Sequence, residues 1–229
     1  MFFYDPTMIV LIPTIILTLY AQSKVKSNFN KYSRVQTEKG YTGIQVARLL
    51  LDQNGLRHIP IELTRGKLSD HYDPKKEVLR LSEDVYHGNS IASVSVAAHE
   101  VGHAIQHSNG YIPLELRNKV FPIARFGSSA AWFFIMVGLL IPSLGNLMDI
   151  GIILFSTAVL FQIITLPVEI NASSRALELL DTNGFVTNHE IRGSKKVLNA
   201  AALTYIAAMA SGIAQILRLV LIRNRNSRR

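Results

Sequence analysis

The chain has 229 residues, of which 48% are hydrophobic and only 17% are charged, a composition that excludes an ordinary soluble domain and indicates a membrane protein. It contains no cysteine, which excludes disulfides and requires any metal site to use His, Asp or Glu. The formal net charge is +8, and because the basic residues lie mostly beside apolar segments we expect them to face anionic lipid rather than nucleic acid.

Four apolar segments lie at residues 8–21, 126–142, 150–168 and 200–222. Each is close to the ~20 residues that cross a bilayer, so they predict a mainly α-helical integral membrane protein with about four transmembrane or membrane-embedded helices. Residues 1–21 lack a basic start and a convincing cleavage site, which predicts a retained signal-anchor helix. The second and third segments predict a transmembrane hairpin at 121–168. Residues 200–229 are predicted to form a C-terminal membrane helix and basic tail, and whether this helix spans the bilayer stays open.

The distribution of basic residues predicts the topology. Residues 1–7 contain no basic residue, whereas five basic residues follow the first segment. These five are Lys24, Lys26, Lys31, Arg34 and Lys39. The positive-inside rule therefore places residues 22–120 in the cytoplasm, the turn at 143–149 outside, and residues 169–199 in the cytoplasm again. A spanning fourth segment would put the basic tail outside, against the rule, so the side of the C-terminus is not predicted.

The region at 22–120 has the pattern of a small α/β unit. The pattern predicts, in chain order, a helix at 42–54, a strand at 59–63, a turn at 69–74, a strand at 77–82 and a helix at 90–107. Gly55 is the predicted C-cap of the first helix, and Ser90 is the predicted N-cap of the second. The second helix carries the residues with the clearest chemical meaning.

These residues form the sequence HEVGH at 99–103. His99 and His103 are four residues apart, so on a helix both imidazoles project from one face and can bind one metal ion. Glu100 can reach a metal-bound water without being a ligand, which is the H-E-x-x-H arrangement. Gly102 lets another backbone approach closely. His107 lies about 12 Å along the helix from His99 and is predicted not to be a ligand.

A catalytic zinc takes three protein ligands and keeps one position open. Glu169 lies where the third apolar segment ends on the predicted cytoplasmic side, and an acid at the end of a membrane helix is costly to desolvate without a partner. The hairpin returns the chain to the side that it left, so Glu169 can meet the two histidines. Glu115 follows a helix break, and Asp149 falls across the membrane. Three later acids stay open as alternatives: Glu178, Asp181 and Glu190.

Four stretches carry a resemblance to a known family: HEVGHAIQ at 99–106, DHYDP at 70–74, LS at 81–82 and LPVEINASSRAL at 166–177. They resemble the YugP-like membrane zinc metallopeptidases of bacteria and, more distantly, the HtpX-type membrane proteases, over nearly the whole chain. The resemblance implies a multi-pass protein of the bacterial plasma membrane, a zincin-like cytoplasmic domain, a Zn²⁺ cofactor and Glu169 as third ligand. This chain has Ser173 where the distant relatives have Asp, and Asn171 where closer relatives are expected to have Asp.

The predicted function is a membrane-embedded zinc endopeptidase that hydrolyses membrane-associated or unfolded polypeptides at the cytoplasmic face. Glu100 is the predicted general base for a zinc-activated water. His71, Tyr72 and Arg175 are candidates for contacts to the substrate or to the developing oxyanion. The strand at 77–82 is a candidate edge strand that binds extended substrate, or else an ordinary structural strand.

The expected partners are a polypeptide substrate and the lipid bilayer, with no nucleic acid. The alternative function is a catalytically silent metal-binding membrane scaffold or adaptor, and a small transporter component is a third class. A transporter would bury ionisable residues in the middle of the membrane, and the first three segments contain none. The sequence does not identify the substrate, its cleavage preference, the oligomeric state or any regulator.

Overall fold

In the computed structural model, residues 6–226 are described, with the side chains of Pro142 and Asn226 left aside. The first five residues of the predicted anchor and the last three of the predicted basic tail lie outside the described residues. The chain divides into two compact units. Unit 1 comprises Met1–Gln22, Glu115–Pro167 and Leu203–Arg229, and unit 2 comprises Ser23–Leu114 and Val168–Ala202.

Helices make up most of the described chain. They are α1 (Ile12–Tyr32), α2 (Gly43–Gln53), α3 (Glu83–Tyr86), α4 (Ile91–Ser108), α5 (Ile112–Leu140), α6 (Asn146–Thr182) and α7 (Ile191–Asn226). Three short strands complete the fold: β1 (Ile61–Thr64), β2 (His71–Asp73) and β3 (Val78–Ser82).

Side-chain caps set the starts of the two helices predicted in unit 2. Thr42 accepts a hydrogen bond from the Gln45 backbone N–H while the Gln45 side chain accepts one from the Thr42 N–H, a capping box that begins α2. Ser90 Oγ accepts from the Ser93 N–H, 3.1 Å away, and begins α4. Gly55 follows α2 with a φ of +77°, the left-handed conformation that glycine adopts readily at a helix C-terminus.

The three strands form one sheet in the order β1–β3–β2, with β1 parallel and β2 antiparallel to β3. The predicted turn at 69–74 is wrong in its centre, because β2 lies there. Asp70 accepts hydrogen bonds from the Ser82 backbone N–H and hydroxyl, which holds the start of β2 beside the end of β3. The edge-strand hypothesis for residues 77–82 is also wrong, since β3 is the central strand and pairs on both sides.

The core of unit 2 surrounds α4. Leu50 and Leu51 of α2, Leu79 and Leu81 of β3, and Leu180 of α6 are fully buried in it. From Ile91 to Gln106 every α4 residue is buried except Val96 and His99. Polar side chains on α4 therefore face a packed interior, where each needs a partner.

Unit 1 contains the apolar parts of the long helices. Within residues 6–226, three helices are long and apolar enough to cross a bilayer by length and composition: α5, α6 and residues 191–225 of α7. The first apolar segment is not among them, since it begins as a 3₁₀ helix (Pro6–Val10) and continues in α1, whose later part carries Lys24, Lys26 and Lys31. The predicted spanning of that first segment stays a prediction.

One ion pair in unit 1 bears on the fourth segment. Arg223 Nε lies 3.0 Å from Asp149 Oδ1, and Arg223 Nη2 lies 3.0 Å from Asp149 Oδ2. Asp149 is in the first turn of α6 and Arg223 is in the last turn of α7. The C-terminal end of α7 therefore lies at the same end of unit 1 as the connection between α5 and α6.

Candidate metal centre

Three side chains of unit 2 present their ligand atoms to one another. His99 Nε2 lies 3.3 Å and His103 Nε2 lies 3.6 Å from Glu169 Oε2. One ligand atom from each of the three residues lies within 4.8 Å of the others. His99 and His103 share one face of α4, and Glu169 comes from α6, so the predicted third ligand meets the predicted pair.

The donor set and its spacing fit a zinc ion. Two imidazole nitrogens and one carboxylate oxygen are a ligand set of catalytic zinc, which leaves the fourth tetrahedral position for water or substrate. Ligand atoms about 2.0–2.1 Å from one tetrahedral centre lie about 3.4 Å apart. The two nitrogen–oxygen distances of 3.3 and 3.6 Å bracket that value. The side chains are also largely buried, with His103 8% and Glu169 5% exposed.

Gly102 allows α4 and α6 to approach this closely. A Cβ at residue 102 would lie 2.8 Å from the carbonyl oxygen of Ala172. Because this distance is shorter than a normal contact, any larger residue would push the two helices apart. The glycine between the two histidines is therefore part of what brings Glu169 within reach of them.

The inner nitrogens of both histidines have partners. His103 Nδ1 lies 3.0 Å from Gln106 Oε1, and His99 Nδ1 lies 3.2 Å from Ser173 Oγ. A hydrogen-bond partner on Nδ1 orients the imidazole ring and leaves Nε2 for a metal. Ser173 thus occupies a supporting position, where the more distant relatives are expected to have Asp.

Glu100 is buried beside the centre, with 7% of its surface exposed. The backbone N–H of Tyr72 in β2 lies beside its carboxylate and favours the charged form. Burial raises the pKa of Glu100 to about 7, nearby Glu169 and Asp70 add to the rise, and His99 opposes it. A carboxylate whose pKa lies near neutrality is suited to accept and return a proton.

The candidates for substrate or oxyanion contacts lie in different environments. His71 is exposed, and its Nδ1 lies 2.8 Å from the Ser69 carbonyl oxygen. Arg175 Nε donates to Asn171 Oδ1 at 2.8 Å. Tyr72 Oη lies 3.0 Å from Nδ1 of His107. Burial raises the pKa of Tyr72 to about 12, with Glu77 and Asp73 adding to the rise, so its hydroxyl stays protonated at neutral pH.

Other acids considered from the sequence do not join the cluster. Among residues 6–226, the only group of three or more His, Asp or Glu side chains placed to share an ion is the one described. Glu190, for example, accepts hydrogen bonds from the backbone N–H groups of Glu38 and Thr187. Sequence reasoning gave no role to Gln106, although this side chain is fully buried and bonded to His103. Its sequence signals are its place one turn after His103 and its position at the end of the stretch HEVGHAIQ, which carries the family resemblance.

Comparison with known proteins identifies the family of this site. Residues 7–224 match the model of a family described as "Putative neutral zinc metallopeptidase". The chain belongs to this family. The match to the neutral zinc metallopeptidases includes all three residues of the cluster and Glu100.

A relative with an aligned sequence extends this result. The chain is 54% identical over 206 residues to the "Putative membrane protease YugP" of Bacillus subtilis (strain 168). The aligned region covers 90% of this chain and 91% of the relative. No solved structure matches the chain. The resemblance inferred from the motifs is thus confirmed at the level of the family, and membrane association is supported by the relative's name and by the three apolar helices.

Proposed function

We propose that this protein is a membrane-embedded zinc endopeptidase that hydrolyses membrane-associated or unfolded polypeptides. The observation that carries the proposal is the convergence of His99, His103 and Glu169 beside the buried carboxylate of Glu100. Family membership supports the same reaction class. The two histidines would hold the ion through Nε2, and Glu169 through Oε2.

A bound zinc ion would supply Lewis acidity, which polarises the scissile carbonyl and lowers the pKa of water. Glu100 accepts a proton from the attacking water at a carboxylate oxygen while the water oxygen bonds to the carbonyl carbon. The C–N bond then breaks, and Glu100 delivers the proton to the leaving amine nitrogen. The Tyr72 backbone N–H beside Glu100 favours the charged carboxylate that accepts the proton.

Of the three candidates for oxyanion contact, Tyr72 is the best placed. Its backbone N–H lies beside Glu100, and its hydroxyl stays protonated at neutral pH. When His107 carries its proton on Nδ1 and donates to Tyr72 Oη, the hydroxyl proton is available for an oxyanion. Arg175 is engaged with Asn171, and His71 is exposed. We expect Tyr72→Phe to lower kcat while zinc affinity is kept, and an unchanged kcat would remove the hydroxyl from the mechanism.

The positive-inside rule supports a cytoplasmic position for this centre in a bacterial plasma membrane. A polypeptide substrate and the lipid bilayer are the proposed partners. Three apolar helices support a multi-pass arrangement. Labelling single cysteines at residues 75 and 145 from outside intact cells tests it, because this cysteine-free chain gives no background. Only the cysteine at 145 is expected to react, and labelling at 75 would reverse the topology.

The central experiment distinguishes residues needed for zinc binding from residues needed for catalysis. Zinc content and cleavage of an unfolded protein are measured for the purified chain in detergent, for Glu169→Gln and for Glu100→Gln. We expect Glu169→Gln to lose zinc and activity together. Glu100→Gln should keep zinc and lose activity by about 10²–10⁴-fold, the usual contribution of a general base.

Each variant can contradict a different part of the proposal. Full zinc retention in Glu169→Gln would remove this residue from the ligands. Equal activity in Glu100→Gln and wild type would assign the cleavage to a contaminating protease and favour the scaffold function. Glu178→Gln is the matched control, since Glu178 is an exposed acid of the same helix, α6, outside the cluster.

A further inference from the structure

A chain of hydrogen bonds in unit 2 runs from α6 to the centre. Arg175 Nε donates to Asn171 Oδ1 at 2.8 Å, and the same oxygen accepts from Gln106 Nε2 at 2.9 Å. Gln106 Nε2 also donates to the Val168 carbonyl oxygen at 2.9 Å. Gln106 Oε1 then faces His103 Nδ1 at 3.0 Å.

Arg175 determines which group donates and which accepts in every hydrogen bond of this series. A guanidinium only donates, so the atom of Asn171 that faces Arg175 must be its oxygen. Gln106 must therefore present its NH₂ group to Asn171, and the Val168 carbonyl requires the same orientation. The remaining atom of the Gln106 amide is the oxygen, which accepts a hydrogen bond but cannot donate one. His103 Nδ1 is consequently the protonated nitrogen, and its Nε2 carries the lone pair.

We propose that Gln106 is a positioning residue of the metal centre, with Arg175 and Asn171 as its anchors. This inference rests on the proposed function, because it concerns the zinc affinity of that site. Gln106 holds His103 in the tautomer that directs a lone pair at the ion. The same amide ties α4, which supplies two ligands, to α6, which supplies the third.

Burial makes this arrangement specific. Gln106 has no exposed surface, so water does not replace either of its functions. A side chain of similar length without the amide would remove the acceptor of His103 Nδ1–H and leave this donor unpaired inside the protein. Arg175 and Asn171 are partly exposed and act on His103 only through Gln106. Arg175 is thereby assigned a supporting role instead of an oxyanion contact.

Two substitutions separate the acceptor function from packing. The zinc dissociation constant is measured by chelator competition on the full chain in detergent, and the unfolding temperature is measured without metal. Gln106→Met removes both functions, and we expect zinc affinity to fall by about 10–100-fold. Gln106→Glu keeps an acceptor for Nδ1–H but directs a second oxygen at the Val168 carbonyl. We expect it to bind zinc more tightly than Gln106→Met although it unfolds at a lower temperature.

If Gln106 had a purely structural role, the variant with the lower unfolding temperature would also bind zinc more weakly. The expected result is the opposite, because Gln106→Glu should unfold at a lower temperature than Gln106→Met and yet bind zinc more tightly. If affinity follows the unfolding temperature, or if Gln106→Met binds zinc as wild type does, the inference is overturned. Gln162→Met is the control, a matching change on α6 where Gln162 makes no side-chain hydrogen bond within the described residues. It should leave zinc affinity unchanged.

A third variant keeps the test decisive if Gln106→Met does not fold. Arg175→Met releases the anchor at the partly exposed end, and we expect a smaller but measurable loss of zinc affinity. An unchanged affinity together with a lower kcat would return Arg175 to the substrate side and overturn the proposed chain. If wild type itself binds no zinc, the proposed function fails, an outcome distinct from a failure confined to the Gln106 variants.

Discussion

The two units of this chain use apolar side chains in opposite ways. In unit 2 many large apolar residues form a buried core, and Leu50, Leu79 and Leu81 are all 0% exposed. In unit 1 many of them lie outside, and Phe126 and Ile153 are 71% and 68% exposed. A water-soluble protein rarely exposes apolar surface on this scale, so the difference indicates that unit 1 contacts lipid.

The comparison also explains where the reactive groups are found. In unit 2 the largely buried side chains of His99, His103 and Glu169 lie against one another. In a dry interior an unpaired charge is expensive, so such a cluster is stable when its members share a positive ion. Unit 1 contributes apolar surface and close helix contacts instead. Changes of the same chemical kind should therefore have different consequences in the two units.

The largest difference between the two units is expected when an exposed leucine is replaced by lysine. Leu160 in unit 1 is 50% exposed and Leu63 in unit 2 is 49% exposed. Leu160→Lys puts an ammonium near the centre of an apolar helix, at a cost of about 2.5–3.5 kcal/mol for insertion. Leu63→Lys puts one on an outer strand in water, where we expect less than about 0.5 kcal/mol.

The amount of protein that resists alkaline extraction from membranes measures the first effect, and thermal unfolding measures the second. Leu160→Lys should reduce the extraction-resistant amount, whereas Leu63→Lys should leave both quantities near wild type. Equal insertion of wild type and Leu160→Lys would show that this face of α6 does not contact lipid. The contrast between the units would then be lost.

An intermediate effect is expected at two glycines that permit close helix contacts. A Cβ at Gly102 would lie 2.8 Å from the Ala172 carbonyl oxygen, and one at Gly151 would lie 2.9 Å from that of Ala131. Alanine at either position should lower the free energy of unfolding by about 1–3 kcal/mol, because the packing leaves no room. Only Gly102→Ala should also weaken zinc binding, since its helix contact aligns Glu169 with the histidines.

Thermal unfolding in detergent and zinc affinity by chelator competition, measured on both variants, test this pair. Similar destabilisation with selective loss of zinc affinity in Gly102→Ala is the expected pattern. If Gly151→Ala weakens zinc binding to the same degree, affinity reports general stability and not the contact at Gly102.

Local patterns in the sequence predicted the parts of this structure that depend on nearby residues. The spacing of His99 and His103 is a property of one helix. The hairpin reasoning returned Glu169 to the side of the two histidines but left three later acids open, and the family resemblance implied Glu169 as the ligand. The polar stretch containing β2 has the composition of a turn and becomes a strand only through pairing with β3. Gln106 likewise gains its meaning from partners more than 60 residues away, Val168 and Asn171.

The smallest difference is expected between two ion pairs. Arg223 contacts both oxygens of Asp149 through two nitrogens in unit 1, whereas Arg48 contacts Asp52 one helical turn away in unit 2. All four side chains are partly exposed, from 25% to 48%. Each pair should therefore contribute about 0.2–1 kcal/mol. The two-point contact and the separation in sequence favour the larger coupling for Arg223–Asp149.

Double-mutant cycles with Arg223→Gln and Asp149→Asn, and with Arg48→Gln and Asp52→Asn, measure both couplings by thermal unfolding. Raising the salt concentration from 0.1 to 1 M shortens the screening length from about 10 to about 3 Å. Both couplings should weaken, and Arg223–Asp149 should stay the larger. A negligible coupling for Arg223–Asp149 at low salt would mean that this pair does not hold the end of α7 beside the start of α6. The placement of the C-terminal end of α7 would then depend on apolar packing around Leu219, which is buried against Ala131, Ile135 and Met148.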